Sequence, residues 1–247
     1  ALMQPKGNER YPNGGAKNIL QRTEGEKAVL KRKVHEVAIL IDASASMAVT
    51  DGEGEKSRLD IAKEITDRII ASLRGENISL YSFTSTTMRE VPATMDYFFT
   101  RLMLREIGIN QGETSGTDIG QALEFIHESL QKVSPDITKT VILFSDGGDT
   151  RLYGLKGQQR KSALDAIVKA ALGFAGKNSS LFTVGIGSDK GSAVPGVLFD
   201  GKPVESSLDG DMMRKLALTG GGMYFSPSQS SPFRIARELS GIISRKG

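Results

Sequence analysis

From Val34 onward, short apolar runs alternate with amphipathic stretches of helical length. Val37-Ala38-Ile39-Leu40-Ile41 and Thr140-Val141-Ile142-Leu143-Phe144 are nearly continuous apolar runs, as expected of strands buried on both faces of a parallel sheet. Leu181 to Ile186 predicts a third central strand, Ile78 to Phe83 a half-alternating one, and Gly222 to Phe225 a last one. Between them, Leu59, Ala62, Ile65, Ile69 and Leu73 mark one helical face, opened by a capping-box-like Ser57 and Asp60. Ile119, Ala122, Leu123, Ile126 and Leu130 mark another. Helices are also predicted over about 94–105, over 158–176, from Asp209, and over 231–244. Thr86 to Val91 predicts a short partner strand at the sheet edge. Strands separated by helix-length segments imply right-handed crossovers. The expected fold class is therefore α/β, a doubly wound, mostly parallel central sheet with one short antiparallel edge strand.

Two segments depart from the alternation. Residues 1–33 are rich in Gly, Asn, Lys and Glu without sustained periodicity and read as an extended lead-in, which leaves 34–247 as the folded domain. About twenty residues intervene between Gly187 and Asp209, where a short loop is usual. There Asp200-Gly201, flanked by Val197-Leu198-Phe199 and Lys202-Pro203-Val204, predicts a hairpin on a type I′ turn. Pro203 confines one arm to an edge. The 188–208 segment is thus a surface insertion.

Composition narrows the function. The chain has 247 residues, 38% of them hydrophobic, enough to bury the core of one α/β domain. It begins with Ala rather than Met, as a fragment of a longer protein would. It contains no cysteine, which excludes thiolate chemistry and zinc–thiolate sites. No apolar run reaches the roughly 18 residues of a membrane span, and no signal-peptide core appears. Net charge is +3, but residues 1–33 hold eight Lys and Arg against three Glu, so the rest of the chain is slightly acidic. Lys31-Arg32-Lys33 could meet anionic lipid or nucleic acid, although a solvated leader is the favoured reading. Aromatic residues make up 6% with no basic-aromatic stripe, so nucleic-acid binding has little support.

The chemistry concentrates at strand ends. Asp42-Ala43-Ser44-Ala45-Ser46 follows the first apolar run directly, placing an acid and two hydroxyls at the carboxyl end of a strand, where open α/β sheets hold ligands. Gly112-Glu113-Thr114-Ser115-Gly116-Thr117-Asp118 precedes the helix stripe at Ile119, and Ser145-Asp146-Gly147-Gly148-Asp149 leaves the strand ending at Phe144. The three loops would bring Asp42, Ser44, Ser46, Thr117 and Asp146 together. Two carboxylates roughly neutralise a dication, and three hydroxyls add oxygen ligands without charge, a partial shell for Mg2+. Such a shell is completed by water or by an outside carboxylate. Ser and Thr donate little electron density, so the set favours recognition of an acidic group over hydrolysis.

Asp42-x-Ser44-x-Ser46, then Thr117, then Asp146, in that order on those elements, resembles the metal-ion-dependent adhesion site of von Willebrand factor type A domains. The resemblance implies a Rossmann-like fold holding one divalent ion (Mg2+, or Mn2+ or Ca2+). It also implies that the serines and threonine touch the metal directly, that the aspartates often act through water, and that a protein partner's Asp or Glu takes the open position. Asp96-Tyr97, Ser115-Gly116-Thr117-Asp118, Val184-Gly185-Ile186-Gly187 and Leu216-Ala217-Leu218-Thr219-Gly220-Gly221 are similar to bacterial Bat aerotolerance-type proteins. That narrower likeness implies a bacterial envelope complex, membrane-tethered through segments absent from this chain, with the domain in the periplasm. Those relatives' common Asp-Gly-Glu-Asp reads Asp146-Gly147-Gly148-Asp149 here.

Plainer roles compete at several positions. Asp118 and Asp149 read as cap or loop hydrogen-bonding residues. His35 and His127, the only histidines, lie far from the three loops in sequence and read as structural, so a Ser-His-Asp triad is not expected. Met103, Met212 and Met213 read as core filler. A phosphate-cradling loop is missing, and a haloacid-dehalogenase-type phosphatase would need an acid where Ser44 stands. The expectation is a protein-binding module and not an enzyme. The alternatives are a cytoplasmic accessory subunit of an ATPase or chelatase and, behind it, a metal-dependent hydrolase using Asp42.

Overall fold

The computed structural model describes residues 34–52, 55–110 and 116–246. The lead-in over 1–33, including Lys31-Arg32-Lys33, and most of the glycine-led loop before Gly116 lie outside them. Eight strands and six α-helices follow in chain order: β1 His35–Asp42, α1 Arg58–Ser72, β2 Asn77–Phe83, β3 Thr87–Thr94, α2 Tyr97–Glu106, α3 Ile119–Gln131, β4 Thr138–Ser145, α4 Gly157–Leu172, β5 Ser179–Gly185, β6 Ser192–Phe199, β7 Lys202–Ser206, α5 Gly210–Thr219, β8 Gly221–Phe225 and α6 Pro232–Lys246. Six strands form one sheet in the order β3-β2-β1-β4-β5-β8, parallel throughout except for β3, which pairs antiparallel with β2. The expected doubly wound sheet with an antiparallel edge is the architecture observed.

Burial explains the apolar runs. All eight residues of β1 are buried, because helices cover both faces of the sheet. Val37, Ile39 and Ile41 pack with Leu59, Ile65 and Ile69 of α1 and Ile235 and Leu239 of α6. Ala38 and Leu40, pointing the other way, pack with Ile119, Leu123 and Ile126 of α3, Ile167 of α4 and Met213 of α5. Met212 and Met213 are core residues, as expected. α1 starts on a complete capping box: the Ser57 hydroxyl accepts from the Asp60 amide, and the Asp60 carboxylate accepts from the Ser57 amide.

Several boundaries differ from expectation for identifiable reasons. β3 runs to Thr94, through Pro92. As the outermost strand it has a partner on one side only, so a missing N–H there breaks no ladder. α4 ends at Leu172, short of 176; Phe174 continues the apolar stripe and is buried, but it lies beyond the last helical turn. β2, predicted to alternate, is buried from Ile78 to Phe83, its serines included.

The segment after Gly187 forms a hairpin. β6 and β7 make a separate two-stranded antiparallel sheet. Asp200 and Gly201 have φ of 49° and 74°, the two left-handed residues that a type I′ turn requires. Its base packs on the rim through Val194, which is buried, and its tip exposes Leu198 and Phe199.

The strand order fixes where a site can form. β2 lies on one side of β1, and β4, β5 and β8 follow on the other. Chain direction across the sheet therefore reverses between β1 and β4, and the crevice at their carboxyl ends is the position that doubly wound folds use for ligands.

Candidate functional site

Asp42 is the last residue of β1, and Asp146 follows β4 directly. Both open into that crevice and both are buried. The turn after Asp42 curls back at once: the Ser44 amide donates to Asp42 Oδ1 at 2.9 Å, and Ser44 leads into a 3-10 turn over Ala45–Ala48. That turn brings Ser46 Oγ to within 3.1 Å of Ser44 Oγ. Ser145, the last residue of β4, donates its hydroxyl to Asp42 Oδ2 at 2.7 Å, linking the ends of the two central strands.

Asp146 is held by other bonds. Its Oδ1 accepts from the Gly148 amide at 2.9 Å. Its Oδ2 accepts from Arg58 Nη1 at 2.7 Å and from the Ser206 hydroxyl at 2.8 Å. Gly147 makes the sharp exit possible: its φ is +80°, and a Cβ there would sit 2.7 Å from the Asp209 carbonyl oxygen. The Asp209 amide in turn donates to the Asp146 carbonyl at 2.7 Å, tying the start of α5 to this loop.

Thr117 arrives from a third element. It is buried and zipped to the loop after Asp146: the Thr150 amide and hydroxyl both donate to the Thr117 carbonyl, at 2.9 and 3.0 Å. The Asp118 amide donates to the Thr84 carbonyl at 3.0 Å. Direct contacts thus join Asp42, Ser44 and Ser46, Asp146 faces Asp42 closely enough to repel it, and Thr117 is fixed through Thr150.

Asp118 and Asp149 act as structural groups. Asp118 caps α3 by accepting from the Gln121 amide and pairs with Arg151 at 3.2 Å. Asp149 accepts from the amides of Arg151 and Ile119. The two histidines are engaged elsewhere. His35 Nε2 lies 2.9 Å from the Thr140 hydroxyl, and His127 packs edge-on against Phe174.

The charges explain what the cluster can hold. Burial, and then repulsion from Asp146, push the Asp42 carboxyl up to about 7, against the hydrogen bonds from Ser145 and Ser44. A carboxyl that two hydroxyl-rich loops cannot keep ionised is short of positive charge. Among the described residues, no three His, Cys, Asp or Glu side chains gather to bind a metal. At the crevice Asp42 is bonded to Ser145 and Ser44, and Asp146 is paired with Arg58 and the Ser206 hydroxyl. This donor set fits a hard divalent ion and not a soft one. Because both Asp146 oxygens already accept bonds from protein groups, the set suits an arrangement in which that carboxylate acts through water.

Sequence reasoning missed one residue here. Arg58, the first residue of α1, is completely buried. Its Nη2 and Nε donate to both oxygens of Asp51, at 2.5 and 3.0 Å, while Nη1 reaches Asp146 and Ser206. Gly187 leaves it room, since a Cβ there would lie 2.8 Å from Nε. Burial alone would raise the Asp51 carboxyl, but Arg58 and the Ser188 amide hold it below the usual carboxylate range. A cation in the first helical turn opposes the helix dipole, which was the one available hint.

A family model described as the von Willebrand factor type A domain matches residues 37–148. That segment runs from β1 to just past Asp146 and contains all five candidate ligands. The fold is that of a von Willebrand factor type A domain. No curated protein matches the chain in sequence. Among solved structures, BatB from Bacteroides thetaiotaomicron superposes with a TM-score of 0.70 at 23% identity, over 86% of this chain and 98% of that one. An aerotolerance-related membrane protein from Bacteroides fragilis gives 0.71 at 21%, over 85% and 99%. Manganese-loaded TRAP protein from Plasmodium vivax gives 0.56 at 14%, over 84% and 74%. These two structural likenesses to the Bacteroides proteins cover 86% and 85% of this chain, more than the segment that the family model matches. Among the described residues, no helix is long and apolar enough to cross a membrane.

Proposed function

We propose that this chain is a metal-dependent protein-binding module. One divalent cation, Mg2+ or Mn2+, is held by Ser44, Ser46 and Thr117, with Asp42 and Asp146 supplying the balancing charge, and an Asp or Glu side chain of a protein partner completes the site. The observation that carries the reading is the buried Asp42 carboxyl, raised by Asp146 and ringed by hydroxyls at the sheet's switch point. Such a cation supplies an electrophile for a carboxylate. The protein's own groups do the rest: Ser145 and the Ser44 amide orient Asp42, Gly148 orients Asp146, and burial keeps bulk water away from both. The engaged states of His35 and His127 support binding without turnover, since among the described residues no imidazole accompanies the site's hydroxyls. The likeness to a protein described as an aerotolerance-related membrane protein supports a membrane-associated setting; in our reading this is the bacterial envelope, with the domain facing the periplasm.

Calorimetric titration of Mn2+ into the full chain tests the reading. One-site binding is expected in the wild type and not in the Ser44→Ala/Thr117→Ala double variant, with both proteins equally folded by circular dichroism. Equal binding by both would overturn the assignment.

A further inference from the structure

Arg58 joins three parts of the molecule that the strand order alone does not connect. Asp51 belongs to the segment after the Ala45–Ala48 turn, Asp146 to the exit of β4, and Ser206 to the end of β7. One fully buried guanidinium binds all three. It pairs with both Asp51 oxygens, and Nη1 donates to Asp146 Oδ2 and, at 2.9 Å, to the Ser206 hydroxyl. Nη2 donates to the Ser206 carbonyl at 3.0 Å. The Ser206 hydroxyl itself donates to Asp146 Oδ2, closing a ring of bonds between the hairpin base and a candidate metal-site carboxylate. β6 also packs against the turn that carries Ser46, and the Ser188 amide donates to Asp51 Oδ2 at 2.9 Å. Both ends of the 188–208 insertion are therefore fastened to this one ion-pair cluster.

We infer that Arg58 is a positioning residue that couples occupancy of the cation site to the β6–β7 hairpin. The inference rests on the cation reading above. Asp146 Oδ2 serves two donors already, and it cannot give its full charge both to Arg58 and to a nearby dication. Sharing that charge weakens the Arg58–Asp146 bond and the Ser206 bonds that depend on the same guanidinium. Asp51 keeps Arg58 neutralised from the far side, which limits the repulsion between the guanidinium and the cation. Coupling of this kind is reciprocal, so a contact that tightens or frees the hairpin changes cation affinity in turn. The hairpin is suited to receive such a contact. Beyond a register shift between Ala193 and Leu198, Phe199 pairs with Lys202 near the hairpin tip, and it is 73% exposed.

Hydrogen exchange of the full chain, with and without saturating Mn2+, tests the coupling, alongside Mn2+ calorimetry on the same samples. In the wild type, Mn2+ is expected to speed exchange of the 192–206 amides at least threefold. In Ser206→Ala these amides exchange fast in both states and the ratio falls toward one, while Ser206→Thr, which restores the hydroxyl, recovers the response. Asp51→Asn leaves Asp146 to balance Arg58 alone and weakens Mn2+ binding about tenfold. Tight Mn2+ binding with unchanged hairpin exchange would overturn the coupling and leave the cation reading standing, as would wild-type affinity in Asp51→Asn. No Mn2+ binding by the wild type would overturn the cation reading and this inference with it.

Discussion

Asp42→Asn should stabilise the metal-free protein above neutral pH, although it removes a buried, doubly hydrogen-bonded residue. The Asp42 carboxyl titrates near 7 in the folded protein against 3.8 for an unperturbed group. A raised acid pKa means that the folded state holds its proton more tightly, so stability falls as pH rises from about 4 to 7 and stays low above it. At pH 8 the full difference costs about 4 kcal/mol; at pH 5 less than half of that cost is present. Asparagine carries no charge and escapes the penalty. Its amide oxygen can still accept from the Ser44 N–H, and a weakened bond to Ser145 returns about 1 kcal/mol. The variant should therefore be about 3 kcal/mol more stable than wild type at pH 8 and nearly equal to it at pH 5. Urea unfolding of the full chain in EDTA at both pH values measures this, the pH 8 gap corresponding to a midpoint shift of about 1 M or more. Saturating Mn2+ should close the gap at pH 8 by stabilising only the wild type. If Asp42→Asn is destabilising at pH 8, or the gap is the same at both pH values, the charge argument is wrong.

Two further outcomes follow from the same geometry. Mn2+ affinity should fall about tenfold per pH unit below 7, because Asp42 must lose its proton to balance the ion; calorimetry from pH 5.5 to 8 would show a flat profile if Asp42 were not involved. Gly147→Ala should cost about 2–4 kcal/mol, from a left-handed backbone and a methyl group driven against the Asp209 carbonyl; thermal unfolding reads the loss, and an unchanged Tm would contradict the tight left-handed turn after Asp146.

The sheet was legible because its central strands are covered on both faces, and such strands advertise themselves as unbroken apolar runs. Asp42 and Asp146 were legible for the same reason, as the first acidic residues after such a run. β3 and α4 were harder, since an edge strand tolerates Pro92 and a buried Phe174 can continue a stripe after its helix has ended. Arg58 was opaque. At the start of an amphipathic helix an arginine reads as solvated, and only the approach of Asp51, Asp146 and Ser206, up to 148 residues away, removes it from water. Long-range neutralisation of a single charge leaves no periodic trace.

β1 registers residue by residue with β2 from Glu36 to Asp42 and with β4 from His35 to Ile41, and the rim turns hang from its last residue. A tether fixed at that rim and pulled along the strand axis would load both ladders in shear, many bonds at once, and not peel them apart singly. A partner held at that rim would thus pull where many bonds share the load.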